Sequence, residues 1–197
     1  MNLDRTGTIG ASDTRYVMMN WETKTFRDWF AKKLGIIPYT EYQNIYMQTG
    51  TMLEEHIINK LNKKEGIAIE KPEPIIKGRL VVNLDGIYNN TIYEIKTMKW
   101  DNWMFKSDSI SYMKNYWQQC QVQMYASETY NCFIVVYGVC DHEYDFTYCL
   151  DPEIDYSRIK KIPVIYSDLF IDEYKRRLGV LVMCLVNNTF PEEQWIK

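Results

Sequence analysis

The sequence predicts a mixed α/β (α+β) fold, a central mixed β-sheet flanked by helices, as a single domain over residues 1–197. Helical patterns fill the first third of the chain, and short runs rich in branched and aromatic residues follow. A helical pattern, further strand-like runs and a last helix then close the chain. A chain of 197 residues suits one domain with a sizeable core. This order of elements is typical of sheet and helices packed in layers.

Two short helices are predicted near the N-terminus. Ser12 or Asp13 is a candidate N-cap for a first helix that runs to about Met19. Thr23 or Thr25 begins a second helix, whose aromatic residues recur at helical spacing. Gly35 and then Pro38 close this second helix.

A longer helix is predicted over roughly Glu41 to Glu65. Glu54 lies three, four and seven residues from Ile57, Ile58 and Leu61, so this spacing places it on the apolar stripe. A carboxylate on an apolar face is costly unless it is paired or binds a metal. The alternative is that Glu54 sits at the rim and reaches water.

Short strands are expected at residues 67–70, 75–77, 80–84 and 91–97. A turn at Asn89-Asn90 predicts a β-hairpin, and on its second strand Glu94 and Lys96 share one face. Asp85 stands at the start of the hairpin. Two carboxylates beside an amine can hold a divalent metal next to a proton-handling group, the minimal apparatus for phosphodiester hydrolysis. Taken alone, the pattern also fits a solvated ion pair.

A helix is predicted from Lys114 to Glu128. Tyr116, Gln119 and Gln123 lie at positions i, i+3 and i+7 and therefore share one face. Neutral amides can hydrogen-bond phosphate oxygens or position a water molecule without adding charge. By this pattern alone, an ordinary polar helix face is the favoured interpretation.

The C-terminal part is predicted to contain two strands and a helix. The strands cover Cys132 to Val139 and Tyr144 to Leu150, and we expect them to form a hairpin around Asp141. Ser167 or Asp168 is a candidate cap for the last helix, which carries an apolar stripe.

Composition narrows the class of protein. The net charge of −3 disfavours a protein that coats DNA without sequence preference, because phosphate contacts require a basic surface. It argues less strongly against a metal nuclease, whose site must contain carboxylates. The five Cys show no zinc spacing, no apolar signal peptide begins the chain, and no apolar run could span a bilayer. We therefore expect a cytoplasmic protein with free thiols and no membrane partner.

A phosphate site is a hypothesis for the N-terminal segment. Arg5 precedes a glycine-containing stretch that leads to Ser12 and a helix N-terminus. Exposed amides, a hydroxyl and a guanidinium together would suit a phosphate group. The alternative is a mobile arginine and an ordinary capping serine.

Four segments together resemble the lambda-exonuclease branch of the PD-(D/E)XK nucleases, the YqaJ-type viral recombinases. In the order of that family, they are RTGTIGASD (5–13), GTMLE (50–54), LDGIYNNTIYEIK (84–96) and YWQQCQVQMY (116–125). The similarity spans nearly the whole chain, which would form a single YqaJ-type exonuclease domain. One departure is Leu84, because the family usually has Pro directly before the catalytic Asp.

The resemblance implies roles at the hairpin and the long helix. Asp85 and Glu94, with the main-chain carbonyl of Ile95, would bind the metal. Glu54 would be an additional acidic residue reaching the same site. Lys96 would orient or deprotonate the attacking water, or stabilise the charged transition state.

Further roles follow from the same resemblance. Gln119 would help to place water or substrate. Arg5 and Ser12 match positions that the family uses near the 5′-phosphate of the recessed strand. The cofactor would be Mg²⁺, with Mn²⁺ as a substitute, because oxygen ligands suit these ions. Two ions per site, ~3.5–4 Å apart, would stabilise the attacking and leaving oxygens.

The function implied is that of a metal-dependent 5′→3′ exonuclease on linear double-stranded DNA. It would leave a 3′ single-stranded tail for phage or viral homologous recombination in the host cytoplasm. The implied partners are DNA ends and a single-strand annealing protein, and the implied assembly is a homotrimeric ring. Two alternatives stay open. One is a PD-(D/E)XK endonuclease, which would cut a closed circle, and the other is a DNA-end-binding protein with a vestigial nuclease core.

Overall fold

The structure, a computed structural model, describes residues 6–38, 44–107 and 111–192. The helices are α1 (Thr14–Met18), α2 (Lys24–Lys33), α3 (Ile45–Glu65), α4 (Trp100–Lys106), α5 (Lys114–Ser127), α6 (Phe146–Leu150) and α7 (Asp168–Asn187). The strands are β1 (Ile9–Gly10), β2 (Ile75–Lys77), β3 (Leu80–Val82), β4 (Gly86–Tyr88), β5 (Thr91–Lys99), β6 (Asn131–Val139) and β7 (Ile159–Val164). None of the helices in these ranges is both long enough and apolar enough for a bilayer crossing.

A mixed four-stranded sheet organises the chain, in the order β4-β5-β6-β7. The outer pairs are antiparallel and the central β5–β6 pair is parallel, with Glu94 opposite Ile134. A parallel pair requires a crossover, which α4 and α5 supply here. A second, smaller sheet has the order β1-β3-β2. The sheet that the sequence predicted is therefore mixed and helix-flanked, as expected.

The two faces of β5 enter different cores, as its period of two requires. Ile92 and Met98 belong to a large apolar cluster together with residues of α1, α2, α5 and α7. Tyr93 and Ile95 belong to a second cluster, which lies under α3. Glu94 and Lys96 therefore project on the side of the sheet that α5 covers.

The hairpin turn forms as the sequence predicts. Asn89 and Asn90 have φ values of 45° and 57°, both in the left-handed region. Two successive positive φ angles are the requirement of a type I′ turn, which asparagine tolerates better than most residues. Tyr88 and Thr91 consequently pair across the turn. This register decides which side chains of β5 face α5.

Thr23 caps its helix as predicted, whereas Asp13 stands at the N-cap position of α1 but makes no side-chain hydrogen bond to that helix. Thr23 accepts a hydrogen bond from the Phe26 amide at 3.2 Å and caps α2. A 3-10 turn over Ala11–Asp13 precedes α1, and the Asp13 carboxylate accepts from the Gly10 amide at 2.8 Å. The third helix begins at Ile45, and its predicted start at Glu41 lies outside the described residues.

Three element predictions are wrong. Residues 67–70 form no strand, and only a single bridge joins Glu70 to Ile87. Residues 144–150 do not form a strand after β6, because Asp145 accepts from the Thr147 and Tyr148 amides and starts helix α6. The hairpin around Asp141 is a 3-10 turn, and the antiparallel partner of β6 is β7.

Candidate active site

Asp85 lies between β3 and β4 and extends the hydrogen bonding of the hairpin. In the described part of the chain, β4 and β5 pair only as far as Gly86 and Tyr93. Two residues further along β5, the Asp85 carboxylate accepts from the Ile95 amide at 2.8 Å. Position 86, next to Asp85, requires glycine, because a Cβ there would lie 2.3 Å from the Ile69 side chain. The hairpin thus places the Asp85 carboxylate at the open edge of β5.

Glu94 is fully buried, with 0% of its surface exposed. Its carboxylate accepts from Gln119 Nε2 at 2.5 Å on one oxygen and from Gln123 Nε2 at 2.6 Å on the other. Lys96 pairs with the same carboxylate as Gln119. A buried carboxyl needs such partners, because burial without them destabilises the charged form.

Lys96 reaches both acidic residues. Its Nζ pairs with Glu94 and lies 3.8 Å from Asp85 Oδ2, and it sits 5.5 Å from the centre of the Tyr116 ring. The face of α5 predicted from spacing, formed by Tyr116, Gln119 and Gln123, is therefore the face that covers these groups. The structure brings Asp85, Glu94, Lys96 and Gln119 together at one point.

Burial and charge shift the two central pKa values. Burial raises the pKa of Glu94 to about 7, and Asp85 adds to the rise while Lys96 opposes it. Burial acts against the ammonium of Lys96, but the carboxylates of Glu94 and Asp85 outweigh it and raise the Lys96 pKa. A cation bound to the two carboxylates would act in the opposite direction and lower the pKa of Lys96.

Glu54 lies at the rim, where 23% of its side chain is exposed. Its Oε1 pairs with Lys71 Nζ at 2.7 Å, and the pKa of Lys71 is raised by this bond and by the charges of Asp85 and Glu94. Helix α3 approaches β5 closely at Gly50. A Cβ at this position would lie only 2.9 Å from Thr97 Oγ1. Lys71 therefore links Glu54 electrostatically to Asp85 and Glu94, but within the described residues Glu54 does not join them in one metal-binding group.

The predicted phosphate pocket is only partly described. Ser12 is exposed in the 3-10 turn that packs against α5. A buried ion pair supports this turn, since Lys33 Nζ lies 2.7 Å from Asp13 Oδ2 and Trp29 Nε1 donates to Asp13 at 3.1 Å. Arg5 lies outside the described residues. The role of Ser12 and Arg5 stays a prediction.

The donor set fits a hard divalent cation. Residues 6–38, 44–107 and 111–192 hold no group of three acidic, His or Cys side chains able to enclose a metal. Asp85 and Glu94 alone suit Mg²⁺, which commonly takes one or two carboxylates and keeps several waters. The carbonyl of Ile95 leaves the strand on the same edge as its amide, toward Asp85, and fits as a further oxygen ligand.

Spacing arguments missed two contributors. Lys71 pairs with Glu54 and interacts electrostatically with Asp85 and Glu94, although it follows α3 by six positions in the chain. The Asn83 carbonyl accepts from Gln123 Nε2 at 3.2 Å, next to the segment that carries Asp85. Their positions depend on how loops pack on the sheet. The available signals in the sequence were Lys71, a basic residue directly before Pro72, and Gln123, the second amide on the predicted face of α5.

Comparison with known proteins gives a family and a fold. The family model for the YqaJ-like viral recombinase domain matches residues 2–130. A comparison with curated protein sequences gives no match.

Solved structures share the architecture. An alkaline exonuclease, LHK-Exo from Laribacter hongkongensis, has a TM-score of 0.74 at 20% identity, over 93% of this chain and 90% of that chain. A second structure, LHK-Exo in complex with dAMP, gives 0.74 at 19% identity over the same shares of the two chains. A phage related exonuclease from Haemophilus somnus 129PT has a TM-score of 0.67 at 17% identity, over 92% and 94%. At these identities the likeness shows the fold, and it confirms the predicted α/β class.

Proposed function

Because the chain belongs to the family of YqaJ-like viral recombinase domains, we propose that it is a metal-dependent nuclease that degrades one strand of linear double-stranded DNA from its 5′ end. The product would be a duplex with a 3′ single-stranded tail. Such a tail is the substrate that a single-strand annealing protein requires in phage or prophage recombination. The host cytoplasm is the compartment in which this reaction would take place.

One observation carries the proposal, namely the convergence of Asp85, Glu94 and Lys96 at the open edge of β5. A structural protein gains little from a fully buried carboxyl whose pKa is raised to about 7, held between an ammonium and two amides. Strongly shifted groups of this kind are characteristic of reaction centres. The similarity of the fold to that of exonucleases gives independent support.

Each residue has a definable task in phosphodiester hydrolysis. Asp85, Glu94 and the Ile95 carbonyl would hold the cation, which supplies Lewis-acid stabilisation of the phosphate oxygens. Lys96 would contribute a positive charge next to the phosphate, where negative charge develops in the transition state. The ammonium of Lys96, paired with Glu94, suits this electrostatic role, and proton transfer from water stays the alternative. Gln119, which donates to the Glu94 carboxylate, would help to place water or substrate beside it.

The direction of digestion depends on recognition of the 5′-phosphate. We propose that Ser12, exposed on the turn packed against α5, and Arg5 contact this group. A hydroxyl and a guanidinium would distinguish a phosphorylated end from a hydroxyl end. The ring of three protomers implied by the family would keep the enzyme on the duplex between successive cuts.

The test is digestion of a linear duplex that carries a label at one 5′ end, in Mg²⁺ and in EDTA, beside a covalently closed circle. The proposal expects early release of the 5′ label in Mg²⁺ only, with the circle intact. A cut circle would identify an endonuclease. Absence of cleavage in both Mg²⁺ and Mn²⁺ would make a DNA-end-binding protein with a vestigial core the better assignment.

A further inference from the structure

Gln123 is buried on α5, with 0% of its surface exposed, behind the proposed cation ligands. Its amide nitrogen donates to Glu94 Oε2 at 2.6 Å and to the Asn83 carbonyl at 3.2 Å. Both partners are acceptors, so the orientation of the amide is fixed with its nitrogen toward them. One side chain therefore connects α5 to β5 and to the segment before β4.

The other half of the same amide is unsatisfied. Gln123 Oε1 is buried and has no hydrogen-bond partner among the described residues. A buried carbonyl without a donor destabilises the folded state, and such groups are rare in proteins. An apolar side chain of similar length would avoid this cost, but it would remove the donor from Glu94 Oε2 and from the Asn83 carbonyl. The packing of the side chain alone therefore does not explain a glutamine at this position.

The contacts of Gln123 do explain it. The two proposed carboxylate ligands come from different segments, Asp85 from the loop after β3 and Glu94 from β5. Asn83 stands two residues before Asp85, so Gln123 fixes the backbone next to one ligand and the carboxylate of the other. The separation of the two carboxylates is therefore determined by α5 as well as by the hairpin. Groups that orient metal ligands in this way strongly influence cation affinity.

We infer that Gln123 is a positioning residue that orients Glu94 relative to Asp85 for binding of a divalent cation. This inference rests on the proposed function, because it assumes that Asp85 and Glu94 are the ligands. It assigns Gln123 no contact with DNA or with the attacking water. The spacing of α5 alone could not separate this role from that of Gln119, which lies one turn earlier.

Gln121 offers a matched control on the same helix. It is equally buried, at 0% exposure, but both ends of its amide are satisfied away from the site. Its nitrogen donates to the Ile165 carbonyl at 2.8 Å, and its oxygen accepts from the Ser167 amide at 2.8 Å. Gln121 therefore joins α5 to the start of α7 and has a structural role only.

The experiment compares Gln123→Met and Gln121→Met in the full chain. Titration calorimetry with Mn²⁺, the cation-induced rise in Tm, and the Mg²⁺ concentration for half-maximal cleavage are measured for each. We expect Gln123→Met to weaken cation affinity ~10–100-fold, the usual range for groups that orient metal ligands. Its Tm in EDTA should fall no further than that of Gln121→Met, whose cation affinity should equal that of the wild type. Gln123→Asn, which keeps a shortened amide, should weaken affinity as well and serves if the methionine variant does not fold.

Three results would overturn the inference. Unchanged cation affinity in a folded Gln123 variant would show that the amide does not orient Glu94. Equal losses of cation affinity in the Gln121 and Gln123 variants would show that both side chains act through packing. If the wild type itself bound neither Mn²⁺ nor Mg²⁺, the proposed function would fail and this inference with it, whereas the first two results leave the proposed function standing.

Discussion

Glu94 has the most perturbed environment among the proposed ligands. It is fully buried, yet it lies beside Lys96 and accepts from two glutamines. Burial favours its neutral form and raises the pKa to about 7, so near neutral pH a proton occupies the carboxyl part of the time. A bound cation must displace that proton, because metal ligands bind in their deprotonated form.

This competition predicts a pH dependence of cation affinity. Below a pKa of about 7, each unit of falling pH should raise the half-saturating Mg²⁺ concentration roughly tenfold, and above it the value should level off. The measurement is a Mg²⁺ titration of cleavage rate from about pH 6 to about pH 9, a range chosen to bracket that value. A half-saturating concentration that does not change over this range would contradict the raised pKa.

The acidic residues should differ in importance. Glu54 is paired with Lys71 at the rim, whereas Asp85 bonds directly to the edge of β5. We expect Glu54→Gln to reduce kcat/KM ~10–100-fold, and Asp85→Asn to reduce it further. Steady-state kinetics on a linear duplex provide the comparison. A Glu54→Gln variant as inactive as Asp85→Asn would show that Glu54 enters the cation site during the reaction.

At the scale of residues, the sequence predicted the strand-borne part of the site well. Alternation along β5 placed Glu94 and Lys96 on one face, and helical spacing placed Gln119 and Gln123 on another. These are local periodicities, which the chain itself determines. The contribution of Lys71 could not be predicted, because it depends on the segment after α3, which is joined to β4 by the bridge between Glu70 and Ile87.

At the scale of elements, the strand predicted at residues 144–150 shows where local pattern fails. Its branched and aromatic composition favoured a strand, but the Asp145 cap and the packing of Cys149 in the core under α3 select a short helix. β7 was missed because its sequence, IKKIPV, combines charge and proline. Both features suit an edge strand, which has one side free of sheet partners.

A buried ion pair joins the 3-10 turn at residues 141–143 to the residue directly before β7. Arg158 forms two hydrogen bonds with Glu143, at 2.6 and 2.7 Å, and the Glu143 side chain is only 1% exposed. Tyr148 donates to the same carboxylate at 2.6 Å. This network holds the 3-10 turn after β6 against the start of β7.

Removal of Arg158 from this ion pair should destabilise the folded state. Arg158→Met would leave Glu143 buried without its cation, and we expect a loss of ~3–5 kcal/mol in the free energy of unfolding. Urea denaturation measures it, with Arg176→Met as the control, because Arg176 pairs with Glu173 on the exposed face of α7. A loss below that of the control would show that water reaches and solvates Glu143.

At the scale of the whole molecule, the net charge of −3 requires an explanation in a protein that acts on DNA. An assembly that turns its basic residues inward would satisfy it, such as the ring of three protomers that we propose. We expect sedimentation equilibrium to give the mass of three protomers at micromolar concentration. A monomer that digests DNA distributively would contradict the ring while leaving the chemistry intact.

The central claim is that Asp85, Glu94 and Lys96 form a hydrolytic centre. The most direct test compares single-turnover digestion of a linear duplex by the wild type, Lys96→Met and Lys99→Met. Lys99 lies on the same strand, but 45% of its side chain is exposed and its ammonium faces Tyr46 and Asp141. We expect a loss of ~10²–10⁴-fold for Lys96→Met and near wild-type rates for Lys99→Met. Full activity in a folded Lys96→Met variant would contradict it.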